Sequence, residues 1–116
     1  MTSKRILLFD NSTMRSPFLC EMLQESGEVR EFSEMSKAMA AIKRGLDVDV
    51  AVLHYRIAST PLIQALRQQR PGARIIAFGS PRRDTPLGVD AYINQPILSA
   101  DLRSAIEKVA AKGRAN

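Results

Sequence analysis

Short runs that are apolar at every position, separated by stretches with apolar residues at helical spacing, constrain this chain most strongly. A strand with no polar position must be covered on both faces, because successive side chains point to opposite sides of a sheet. Arg5 to Phe9, apolar at every position after Arg5, reads as such a strand and ends in the polar turn Asp10-Asn11-Ser12. Val48 to Leu53 and Arg74 to Phe78 repeat the pattern, apolar throughout beyond Asp49 and Arg74. Glu28 to Phe32 is half polar and suits an edge strand, and Val89 to Ile93 is a short fifth one.

The segments between them are helical in period. Phe18, Leu19, Met22 and Leu23 form one apolar stripe, with Ser16-Pro17 as cap and first position and Gly27 as the stop. Met35, Met39, Ala40 and Ile42 mark a second helix closing at Gly45; Pro61 to Gln69 is a third. Ser99 is placed to cap a last helix through Leu102, Ile106 and Val109. Parallel neighbours need crossover connections, so this alternation predicts an α/β fold with a doubly wound, five-stranded parallel sheet.

The chain's 116 residues fit one domain, 1–110, followed by a short basic tail, 111–116. No run approaches the roughly 20 apolar residues of a membrane span, and the apolar run after Lys4-Arg5 is too short for a signal peptide. A cytoplasmic protein is expected. The single Cys20 lies at an apolar phase of the first helix and reads as a buried, reduced thiol. A net charge of +5 invites a nucleic-acid reading. The basic residues are scattered, however, and with two tyrosines and no tryptophan there is little for bases to stack on.

Ligands of such sheets gather beyond the carboxyl ends of the strands, where strand order reverses. Those ends carry Asp10 and Asn11, then His54, then Gly79 and Ser80, then Asn94, Gln95 and Pro96. The succession ILLFDNS, DVDVAVLHY, ARIIAFGS and DAYINQP resembles the receiver domain of two-component response regulators over essentially the whole chain. The resemblance implies strand order 2-1-3-4-5. It also implies two acidic residues for Mg²⁺ after strand one, a phosphoacceptor aspartate after strand three, Thr or Ser after strand four and Lys-Pro after strand five. The peptide bond before that proline is typically cis in the family.

This chain departs from that set nearly everywhere. Asp10 and Pro96 match; Asn11 stands at the second acidic position, His54 at the phosphoacceptor, Gly79 (with Ser80 one place later) at Thr/Ser, and Gln95 at the lysine. Aspartyl phosphorylation needs a carboxylate nucleophile, a divalent cation on hard oxygen ligands and a cation facing the phosphoryl oxygens. One carboxylate, one amide and an imidazole make a poor Mg²⁺ site. No catalytic residues, metal or cofactor are therefore expected, and Gln95 is expected to hydrogen-bond towards Asp10 or His54 in place of an ion. A phosphohistidine lacks charge stabilisation here, and a transition-metal site lacks a second strong ligand. A histidine beside Asp10 could instead act as a pH switch.

The family fits a helix between strands four and five, but here the connection is SPRRDTPLGVD, and Pro81, Pro86 and Gly88 argue for a loop or one turn. The fourth helix of the family is thus expected to be short or missing. Loops on rigid scaffolds commonly mediate binding, which makes Arg82 and Arg83 interaction candidates together with Tyr55, Arg56 and Tyr92. The resulting expectation is a bacterial pseudo-receiver, not an enzyme, acting through protein–protein contacts in signalling or transcription regulation. Its partner would be a signalling protein or output domain, with homodimerisation open and no membrane contact. The alternatives are a basic nucleic-acid-binding domain and a receiver phosphorylated by an unconventional route.

Overall fold

The computed structural model describes residues 4–10, 17–56, 59–86 and 88–114. The order is β1 (Lys4–Phe9), α1 (Pro17–Gln24), β2 (Gly27–Phe32), α2 (Met35–Lys43), β3 (Val50–His54), α3 (Thr60–Gln69), β4 (Arg74–Gly79), β5 (Ala91–Asn94) and α4 (Ser99–Arg114). The strands form one five-stranded sheet in the order β2-β1-β3-β4-β5, and all four pairings are parallel. The expected fold class and strand order are thus observed.

Period-two alternation sorts the all-apolar strands into two cores. Leu7, Phe9, Ala51, Leu53, Ile75 and Ala77 face Ala38 and Ile42 of α2 and Leu62 and Leu66 of α3. Their neighbours Ile6, Leu8, Val50, Val52, Ile76 and Phe78 face Leu19 and Leu23 of α1 and Leu102, Ile106 and Val109 of α4. Fully burying one such aliphatic or aromatic side chain is worth about 1.5–3 kcal/mol. The sheet is therefore held from both sides, and its rigidity fixes what projects from its carboxyl edge.

Several local details differ from the expectations. Phe18 is exposed (66%) because the buried row of α1 is Leu19 and Leu23, and Phe18 lies off it. Cys20, one step beyond that row, is partly buried, and its sulfur accepts a hydrogen bond from Gln24 Nε2 at 3.8 Å. The fifth strand begins at Ala91 rather than Val89, and Ser99 is the first residue of α4 rather than its cap. That helix also runs through residues 111–114, where the tail was expected to begin. No helix among the described residues is long and apolar enough to cross a membrane.

No helix joins β4 to β5 among the described residues, as the prolines predicted. Arg67 of α3 holds the connection instead. Its guanidinium donates to Gly88 O at 2.8 Å and to Ala73 O at 3.3 Å, and it pairs with Asp90 at 3.0 Å. Asp90 Oδ2 in turn accepts the Ile75 N–H at 2.7 Å. Gly88 has φ +85, and an added Cβ would lie 3.0 Å from Ile63 Cγ2, so this tight approach to α3 requires glycine.

Candidate functional site

β1 lies between β2 and β3, so the chain moves outward in one direction from β1 and then crosses to its other side. That reversal opens the crevice between the carboxyl ends of β1 and β3. Phe9 pairs with Leu53, and the next residues are Asp10 and His54. Both are buried, at 4% and 8% exposure. The strand register therefore brings together the two residues that the sequence placed at the centre of the site. Asn11 lies outside the described residues.

Local contacts hold His54. Its ring meets Phe78 edge-on, with centroids 5.3 Å apart. Its backbone oxygen accepts the hydroxyl of the fully buried Ser59 at 2.9 Å. Arg56 Nε donates to Nδ1 of the ring at 3.3 Å. Gln95 does not take the expected inward role: its side chain is exposed and its backbone N–H donates to Gly79 O at 2.8 Å. Arg56, two residues away, supplies the ring's hydrogen bond. The Gln95–Pro96 bond is cis, as the resemblance implied.

Burial holds the His54 pKa below its ordinary value, Arg56 pushes the same way, and Asp10 opposes them. The folded state thus binds this proton less tightly than the unfolded chain. The stability contributed by neutral His54 is complete above the unfolded value of about 6.5. It declines as pH falls from there to the folded pKa. Urea unfolding across this window is expected to show a steeper loss in the parent protein than in His54→Gln.

Around Gly79 the arrangement is tight. The Tyr92 hydroxyl donates to Ser80 O at 2.7 Å, and a Cβ added at Gly79 would lie 2.8 Å from that hydroxyl. The tyrosine tip thus occupies the space that a Thr or Ser side chain would need. Burial raises the Tyr92 pKa and the nearby Arg82 lowers it. The Arg82 guanidinium lies 5.1 Å from the Tyr55 ring centre and 5.6 Å from that of Tyr92, within cation–π range. The two tyrosine rings meet edge-on at 6.3 Å. Arg82 N–H donates to Asn94 Oδ1 at 3.1 Å, which ties the loop to β5.

Four of the five interaction candidates therefore fall into linked contacts: Tyr55, Tyr92 and Arg82 in one cluster, and Arg56 beside it on His54. Arg83 is exposed on the same loop. Asn94 was placed at the end of strand five but given no role, and Ser59 was not singled out, since no local pattern flags it. No group of three or more His, Cys, Asp or Glu among the described residues could hold a metal ion. With Nδ1 of His54 engaged by a cation and one carboxylate beside it, the described donor set does not fit Mg²⁺.

No family model matches the chain, and no curated protein matches it. Solved structures do. A response regulator receiver protein from Sinorhizobium medicae is 21% identical, with a TM-score of 0.78 over 96% of this chain and 97% of that one. The response regulator TrrA from Thermotoga maritima, solved with Mg²⁺ and beryllium fluoride, is 24% identical, with a TM-score of 0.74 over 91% and 98%. NtrX from Brucella abortus, solved with ADP, is 18% identical with a TM-score of 0.81, and the match covers 97% of this chain but 27% of NtrX. The fold is that of response regulator receiver domains. At these identities the likeness defines the architecture, and the chemistry has to be read from the site itself.

Proposed function

We propose that this chain is a degenerate receiver, a pseudo-receiver that works without phosphoryl transfer as a protein–protein interaction module in bacterial signalling or transcription regulation. It acts in the cytoplasm, catalyses no reaction and needs no cofactor. The observation that carries this reading is at the Thr/Ser position: a Cβ at Gly79 would lie 2.8 Å from the Tyr92 hydroxyl, so the tyrosine tip stands where that side chain would be needed. His54 stands where the nucleophile would be, and Gln95 supplies no cation. The partner is a signalling protein or an output domain, and the surface offered to it is the Tyr55, Arg82, Tyr92 cluster with Arg56 and Arg83 at its margin. Aromatic and arginine side chains of this kind are common interface anchors.

Beryllium fluoride with Mg²⁺ tests the reading, because it mimics a phosphoryl group only where a carboxylate and a cation site exist. Titration into the ¹⁵N-labelled protein at neutral pH is expected to leave the amide signals of Asp10, Gly79 and Tyr92 unmoved. Saturable shifts at those three residues would contradict the proposal.

A further inference from the structure

Resting on that reading, the contacts of His54 suggest how the same surface is regulated. This is the chain's one histidine, and it lies buried at the switch point with a guanidinium on its Nδ1. Arginine has donors and no acceptor and keeps its proton in proteins, so the direction of this bond is fixed: Arg56 donates. A ring that accepts at Nδ1 is neutral and carries its hydrogen on Nε2. Adding a proton removes the lone pair that holds Arg56 and sets two cations 3.3 Å apart. The contact and the imidazolium are mutually exclusive.

We propose that His54 is a proton-operated latch: the neutral ring tethers Arg56, and protonation releases it and rearranges the adjoining Tyr55 surface. The proton adds one unit of charge at the place where other receivers take their phosphoryl group. Across the crevice, Asp10 at the end of β1 favours the imidazolium, whereas burial and Arg56 on the β3–α3 connection oppose it. From β4 the ring meets the uncharged Phe78, and from the start of α3 the Ser59 hydroxyl reaches its backbone oxygen. The element thus has two arrangements, one held by Arg56 and one favoured by Asp10. Coupling outward is short. Arg56 is exposed and follows Tyr55, which packs edge-on against Tyr92 and beneath Arg82.

Nuclear magnetic resonance on the full chain, labelled with ¹⁵N and ¹³C, tests the latch between about pH 7.5 and 5. A single histidine makes the ring signals unambiguous. The neutral ring is expected as the Nε2–H tautomer, with a midpoint below the ordinary value of about 6.5. The Arg56 Nε–H and the Tyr55 amide should move with that same midpoint. Arg56→Ala, an exposed change compatible with folding, should raise the His54 midpoint and remove the Tyr55 response. An Nδ1–H tautomer, a midpoint at or above the ordinary value, or an Arg56 signal that ignores the ring overturns the latch. These readouts involve no phosphate, so they fail or succeed independently of the beryllium fluoride titration.

Discussion

Replacing Phe78 by alanine is expected to lower stability by about 3–5 kcal/mol. Phe78 is 1% exposed on β4 and packs among Ile6, Leu8, Val50, Val52 and Ile93 beneath α1 and α4. Truncation removes its transfer free energy and leaves a cavity between two helices and a sheet already held by parallel pairing on both sides. For a domain of this length the loss corresponds to a fall in Tm of about 10–20 °C, measurable by circular dichroism. The same change strips the edge contact from the His54 ring, so the His54 ring signals should also shift. A cost within about 0.5 kcal/mol, as for a surface substitution, would mean that the ring is not part of the core.

Gly79→Ala is expected to cost about 1–3 kcal/mol, although it adds only one methyl group. The new Cβ would lie 2.8 Å from the Tyr92 hydroxyl, so the tyrosine tip must withdraw and give up its bond to Ser80 O. Withdrawal also disturbs the Arg82 and Tyr55 contacts, which makes the change local in cause and wider in effect. Tyr92→Phe removes the clashing atom. The double variant Gly79→Ala/Tyr92→Phe should therefore be more stable than the sum of the single changes predicts, with a coupling of about 0.5–3 kcal/mol in urea unfolding. Strict additivity would show that the hydroxyl does not fill the Gly79 space.

The sheet was legible in the sequence because its inner strands are apolar throughout their interiors, with charged or polar residues only at their ends, and the helices between them keep a clear period. Edges were less legible. The fifth strand starts two residues later than its apolar pattern suggests, since Val89 packs from the loop, not from the ladder. Phe18 was misplaced because a short helix presents a narrow buried row, and an apolar residue one position off that row faces outward. At the site, Asp10 and His54 could be read directly, because strand ends follow from strand boundaries. The tether from Arg56, the inward turn of the Tyr92 hydroxyl and the Arg67 clamp on Gly88 could not. Each depends on side-chain directions or on residues distant in the chain: Arg67 and Gly88 are 21 apart. Gln95 was expected to point inward by analogy with a lysine, but its backbone is tied to Gly79 and its side chain remains in solvent.

Intact mass after incubation with Mg²⁺ and acetyl phosphate at neutral pH reads out whether this site takes a phosphoryl group. An unmodified protein is expected, because neither a carboxylate at position 54 nor a cation at position 95 is present to accept and neutralise a phosphoryl group. A stoichiometric phosphoryl adduct that disappears in His54→Gln or Asp10→Asn would contradict it and return this chain to the phosphorylated receivers.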